Sequence, residues 1–154
     1  MPDLKIKIFP EDILRKKAKK ITSVTASEKK ELAEMARVMY LSGGVGLAAV
    51  QVGIDKQLAV MDVGDGLIKM INPSIVKRHG KETAEEGCLS VPGTSVKVKR
   101  AKSVVVSYLN EDGDVAQLKA EGLLARAIQH EIDHLLGILI IDYINPIKKM
   151  LKLY

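Results

Sequence analysis

The sequence predicts an α+β fold, and three observations carry that reading. Two helical patterns open the chain, residues 57–117 turn to short runs rich in Val and Ile, and a helix apolar around most of its circumference follows at 122–137. Runs of β-branched residues broken by Gly, Asn, Asp and Pro are the pattern of antiparallel strands joined by turns, and a helix apolar nearly all round belongs in a core. At 154 residues the chain has the length of one domain, able to bury roughly two thirds of its unfolded surface. With no internal repeat, low-complexity tract or Pro/Gly/Ser-rich linker, we expect one unit over 1–154.

The elements follow in order. Pro10 with Glu11 and Asp12 behind it, and lysines toward Lys20, suggests a short first helix with acids at its start and bases at its end. Thr25 and Glu28 have capping-box spacing; Leu32, Met35, Ala36, Met39 and Tyr40 mark one face of a second helix, which Gly43 and Gly44 can stop. Strands are expected at 57–63, 68–76, 96–98 and 103–110, with Asn110 to Asp114 turning a hairpin into 115–120. Leu123, Leu124, Ala127, Ile128, Ile132, Leu135 and Leu136 line the third helix, and a short surface helix is expected at 147–153.

Composition excludes several classes of function. One Phe, four Tyr and no Trp leave little for stacking on nucleic-acid bases, so no DNA partner is expected. The net charge of +5 is spread over the chain, densest at Lys16, Lys17, Lys19 and Lys20 and at Lys148, Lys149 and Lys152. Such groups are mostly solvated surface, with a weak, salt-sensitive attraction to RNA as the functional alternative. No run approaches the ~18 apolar residues that span a bilayer, and no secretion signal is visible, so a cytoplasmic location without membrane contact is expected. A single cysteine, Cys88, rules out an intramolecular disulfide and leaves a thiol for chemistry or metal.

Chemistry concentrates on the third helix. It carries Arg126, His130, Glu131, Asp133 and His134 among its apolar residues, and burying such groups is costly unless something pairs with them. In His130, Glu131, Ile132, Asp133, His134 the two imidazoles stand four residues apart, face the same way on a helix and can share one ion, with Glu131 one step round. A catalytic ion needs three protein ligands and an open position. Position 140, where one group of zinc proteases has a third histidine, is Ile140, and no Glu follows Glu131, so the third ligand is sought upstream. Cys88, in Glu86, Gly87, Cys88, Leu89, Ser90, leads; His79 is a weaker rival in what reads as an exposed turn. A general metallopeptidase, or a structural metal module that binds ribosome or RNA, would use the same helix.

Taken in order, GVGLAAVQ at 44–51, EGCLS at 86–90 and QHEIDH at 129–134 resemble the three motifs of the peptide deformylases, over essentially the whole chain. The resemblance implies antiparallel strands surrounding a central buried helix that carries the HExxH motif. It implies removal of the formyl group from the N-terminal formyl-methionine of new polypeptides, in a bacterial-type cell. It also implies Cys88, His130 and His134 as ligands of one divalent ion, Fe(II) natively with Ni, Co or Zn as substitutes. Glu131 is then general base and acid, Gln51 and the backbone N–H of Leu89 are oxyanion donors, and Gly44, Val45 and Gly46 form the strand edge that meets the N-formyl-methionyl peptide. Leu123 and Ala127, two turns and one turn before His130, are expected to wall the methionine pocket. Arg126 stands where relatives carry an apolar residue and is expected at the surface or the pocket entrance, Ser95 offers no charged contact to a peptide, and weak ribosome contact through the basic surface is expected.

Overall fold

The computed structural model describes residues 3–144. Its secondary structure is a capped helix, seven strands and a second helix: α1 Ala26–Leu41, β1 Gly46–Ala48, β2 Leu58–Met61, β3 Ile68–His79, β4 Glu82–Cys88, β5 Val91–Arg100, β6 Ser103–Leu109, β7 Val115–Glu121 and α2 Gly122–Leu135. All pairings are antiparallel. Five strands form one sheet in the order β1-β2-β3-β6-β7, and β4-β5 form a separate hairpin, giving the expected α+β class.

Period-2 alternation sets the layers. On β2, Leu58 and Val60 point with Ile71 into a cluster with Leu32, Met35 and Met39 of α1. The intervening Ala59 and Met61 point with Met70 into a second cluster with Ala125 and Ile128 of α2. The sheet is therefore covered by α1 on one face and α2 on the other. β1 is one edge of the sheet, and α2 packs against β1, β2, β6 and β7.

Local chemistry explains the ends. The Thr25 side chain accepts from the Ser27 N–H at 3.2 Å while the Glu28 carboxylate accepts the Thr25 N–H at 2.8 Å, the capping box that starts α1. At the β6–β7 turn the Asn110 side chain accepts the Asp112 and Asp114 N–H groups, each at 3.0 Å, and Gly113 takes the positive φ that closes the tip. No helix among the described residues is long and apolar enough to cross a membrane.

The structure corrects several element expectations. The first helix is only a 3-10 turn, Asp12–Arg15; beyond it the Ala18 N–H donates to the Leu135 carbonyl and the Lys19 carbonyl accepts the Gln57 N–H, so the backbone pairs elsewhere. Tyr40 is exposed rather than part of the α1 core face, and its hydroxyl donates to Asp62 at 2.7 Å. The strand expected at 96–98 runs over Val91–Arg100, β3 continues to His79, and β4 and β1 add strands that show no apolar alternation in the sequence. Leu123 of α2 and Leu136, the residue after it, are exposed. The helix expected at 147–153 lies outside the described residues.

Candidate metal centre

α2 begins directly after β7 and places His130 and His134 one turn apart on a shared face. The β4–β5 hairpin brings Cys88 to them at the end of β4, where the pairing slips by a bulge between Glu86 and Cys88; such irregularities re-aim side chains beside sites. The Cys88 Sγ lies 3.3 Å from His134 Nε2, which lies 3.2 Å from His130 Nε2. One ligand atom from each of the three residues falls within 4.8 Å of the others. His79, at the exposed end of β3, is not part of this group. Asp133 and Asp142, the other carboxylates near the helix, are spent on Arg100 and Arg15.

The donor set fits a divalent cation. Burial works against charge on His130, yet the Glu131 carboxylate, the Cys88 sulfur and the Glu86 carboxylate raise its pKa to about 10. Burial, with the positive charge of His130 and Arg100, holds His134 neutral. The two Nε2 atoms, 3.2 Å apart, face one point at which a cation could take the place of a proton. A thiolate with two imidazoles suits Fe(II), Ni, Co or Zn alike.

The surrounding groups orient these side chains. Glu86, buried on β4, accepts from His130 Nδ1 at 2.9 Å and so aims Nε2 at the shared point. Glu86 is in turn held by Arg100, through Nε at 2.7 Å and Nη2 at 2.9 Å, and by Arg126 Nη1 at 2.6 Å. Burial alone would raise the Glu86 carboxyl, but the bonds from Arg100, His130 and Arg126 hold it down at about 2. Arg100 continues to Asp133 at 2.8 Å, which also accepts the Tyr143 hydroxyl at 2.6 Å. Sequence reasoning missed Glu86 and Arg100 as parts of the site. The readable signal was the cost of burying Asp133 and the histidines, which demanded partners without naming them.

Glu131 is 4% exposed, and its Oε1 finds no hydrogen-bond partner among the described residues. Burial pushes its carboxyl up to about 7 against the opposing pull of His130 and Arg100. A Cβ at Gly46 would lie 2.4 Å from Glu131 Oε2, so the absence of a side chain on β1 is what lets the carboxylate approach. Gln51 is buried; its Oε1 accepts the Ala48 N–H at 2.9 Å, which turns Nε2 toward Ser90 Oγ at 3.2 Å and Cys88 Sγ at 3.7 Å.

A cleft of about 420 Å³ opens over this centre. Gly44, Val45 and Gly46 line it from β1 and the residues before it, Cys88 and Leu89 from the end of β4, and Leu123, Ala127, His130 and Glu131 from α2, with Gln51 also contributing. His134 lies beneath, fully buried. The residues named from the three motifs and from α2 thus come together at the cleft or, for His134, beneath it, with Leu123, 56% exposed, at the rim, while His79 stays apart. Arg126 lines the cleft, as expected of a residue near its entrance, and its guanidinium is tied to Glu86 and to the hairpin backbone.

Known proteins of one family are similar to this chain over nearly its whole length. The family model described as polypeptide deformylase matches residues 3–150. A peptide deformylase of Halothermothrix orenii is 51% identical over 144 residues, covering 92% of this chain and 94% of the relative. The crystal structure of the Thermotoga maritima peptide deformylase superposes with a TM-score of 0.91 at 45% identity, covering 95% of this chain and all of that one. That of Synechococcus elongatus, in complex with actinonin, gives 0.92 at 40% identity, covering 99% and 84%.

Proposed function

Since the chain belongs to the polypeptide deformylase family, we propose that Cys88, His130 and His134 hold one divalent cation, natively Fe(II), at the floor of the cleft. The protein is a hydrolase that removes the formyl group from the N-terminus of newly made polypeptides, releasing formate. The observation that carries the reading is the convergence of one thiol and two imidazoles from distant segments beside a buried carboxylate whose Oε1 has no hydrogen-bond partner among the described residues.

A divalent cation in such a set supplies a Lewis acid that polarises a carbonyl and makes water acidic enough to act as nucleophile at neutral pH. Around it the residues divide the work. Glu131 takes the proton of the attacking water on its carboxylate and returns it to the departing amine nitrogen. Gln51 Nε2 and the Leu89 N–H donate to the carbonyl oxygen as it gains charge, an interaction whose loss typically costs ~3 kcal/mol of barrier. β1 is a sheet edge, so Gly44, Val45 and Gly46 can pair with an extended substrate backbone by adding a strand. Leu123 and Ala127 offer the apolar wall for the methionine side chain. A formyl carbon carries only hydrogen and fits against the ligands, where a bulkier acyl group would collide.

In this reading α2 is the central helix enclosed by strands, 1–154 is one catalytic domain, and the protein works in the cytoplasm of a bacterial-type cell. The net charge of +5 supports a weak, salt-sensitive contact with the ribosome; Lys148, Lys149 and Lys152 lie outside the described residues. The test is formate release from a formyl-Met-Ala peptide. Glu131→Gln should lower kcat by at least ~100-fold while the cation stays bound, and unformylated peptides should remain uncut. Full activity in that variant would remove Glu131 from its role.

A further inference from the structure

We propose that Arg126 is a positioning residue for the metal centre: its guanidinium locks the hairpin that carries Cys88 onto the helix that carries both histidines, and braces the carboxylate that holds His130. The inference rests on the ligand set proposed above. Arg126 Nη1 donates to Glu86 Oε2 at 2.6 Å and to the Val98 carbonyl at 2.9 Å, and Nη2 donates to the Glu82 carbonyl at 2.8 Å. One side chain of α2 thus grips β4 at its first residue, β4 again at Glu86, and β5 at Val98.

The arrangement is specific in three ways. Arg126 and His130 are four residues apart on α2, so they stand on one face and reach the same Glu86 carboxylate, Arg126 on Oε2 and His130 on Oε1. Glu86 lies two residues before Cys88 on β4, so a shift of Glu86 moves an imidazole and the thiol together. And the side chain of Arg126 is only 12% exposed, with its Nη donors directed at protein acceptors although the residue borders the cleft. Arg100 works from the other side, starting on β5 and reaching Glu86 and Asp133. The two guanidiniums bracket Glu86, and only Arg126 also fastens the outer end of β4.

A planar fork is what this task requires. A lysine would supply charge to Glu86, but its donors sit on one nitrogen, where Arg126 uses Nη1 for Glu86 and Val98 and Nη2 for Glu82. Groups that orient metal ligands from behind typically change metal affinity or activity by about 10- to 100-fold when lost.

The test uses the full chain loaded with Co(II), whose thiolate charge-transfer absorption reports the Cys88–cation bond, with release to excess EDTA followed in time and kcat and KM measured separately. Arg126→Met should release Co(II) about 10- to 100-fold faster, with a weakened or shifted thiolate band, a lower kcat and little change in KM. Arg126→Lys, which keeps the charge and guards against a failure to fold, should fall between Arg126→Met and the wild type. Lys56→Met breaks an ion cluster on α1 and should release at the wild-type rate. The proposal is overturned if Arg126→Met or Arg126→Lys releases at the wild-type rate, if Lys56→Met releases as fast as Arg126→Met, or if only KM rises, which would make Arg126 a substrate contact. A wild-type protein that binds Co(II) without any thiolate band would instead overturn the ligand set itself.

Discussion

Replacing Gly46 by alanine probes the proton-transfer step with one methyl group. Gly46 is not among the glycines with positive φ, so the backbone of β1 accepts alanine without strain. The new Cβ would lie 2.4 Å from Glu131 Oε2 and 3.0 Å from Cδ. Real Cβ contacts begin near 3.0 Å and are ordinary from 3.4 Å, so the carboxylate must retreat by 0.6 to 1.0 Å, the differences from 2.4 Å. It can do so because it is the end of a side chain, so the fold should survive while the group is displaced from its proton path. A misplacement of about 1 Å can cost on the order of 100-fold in rate, or ~2.7 kcal/mol of barrier. The assay is steady-state formate release with cation content and circular dichroism measured on the same sample. The expected result is a kcat lowered by about two orders of magnitude, with KM changed little and cation retained. A kcat within threefold of wild type would refute the reasoning that Gly46 is open for the sake of Glu131.

Other outcomes test the packing and the charges. Ile128 is completely buried between α2 and the sheet, so Ile128→Ala should cost about 2–5 kcal/mol, seen as a lower midpoint in urea; a loss under 1 kcal/mol would contradict that core. Burial tends to raise the Glu28 carboxyl, but Lys56 and Thr25 hold it down at about 2. A depressed carboxyl adds stability above its unfolded value near 4.5 and loses it as the pH falls toward 2. The upper bound near 3 kcal/mol shrinks to about 1–2 kcal/mol because solvent reaches Lys56 and screens the pair. Urea midpoints at pH 7 and pH 3 should therefore converge in Lys56→Met relative to wild type, and an unchanged difference would contradict the assignment. A strong chelator should abolish formate release and added Fe(II) or Co(II) restore it; activity that persists after the cation is gone would contradict the Lewis-acid chemistry.

What the sequence made legible follows from where the information is local. The α1 cap is written in Thr25 and Glu28, the β6–β7 turn in Asn110 and Gly113, and the metal pair in the four-residue step from His130 to His134; each signal needs only its neighbours. β4 was illegible because Glu82, Thr83, Ala84, Glu85 and Glu86 show neither apolar alternation nor a turn, and the strand exists through its pairing with β5. Glu86 reads as a surface acid until folding sets it between Arg100, from β5, and Arg126, from α2, at separations of 14 and 40 residues. The same holds for Arg126: one helix places it at the cleft, but its ties to Glu86, Val98 and Glu82 exist only once the hairpin packs against α2. The lysines after Arg15 suggest a helix end, but the backbone there is paired elsewhere, the Ala18 N–H with the Leu135 carbonyl and the Lys19 carbonyl with the Gln57 N–H, partners that local sequence does not show.

The ligand set is the claim on which the rest depends, and the most direct measurement is the cation content of Cys88→Ala, purified without oxygen beside the wild type and assayed for formate release. Cys88 supplies one of the three converging ligand atoms, so the variant should hold far less than one cation per chain and release no formate above background. A variant that keeps a full cation and wild-type turnover would contradict the account.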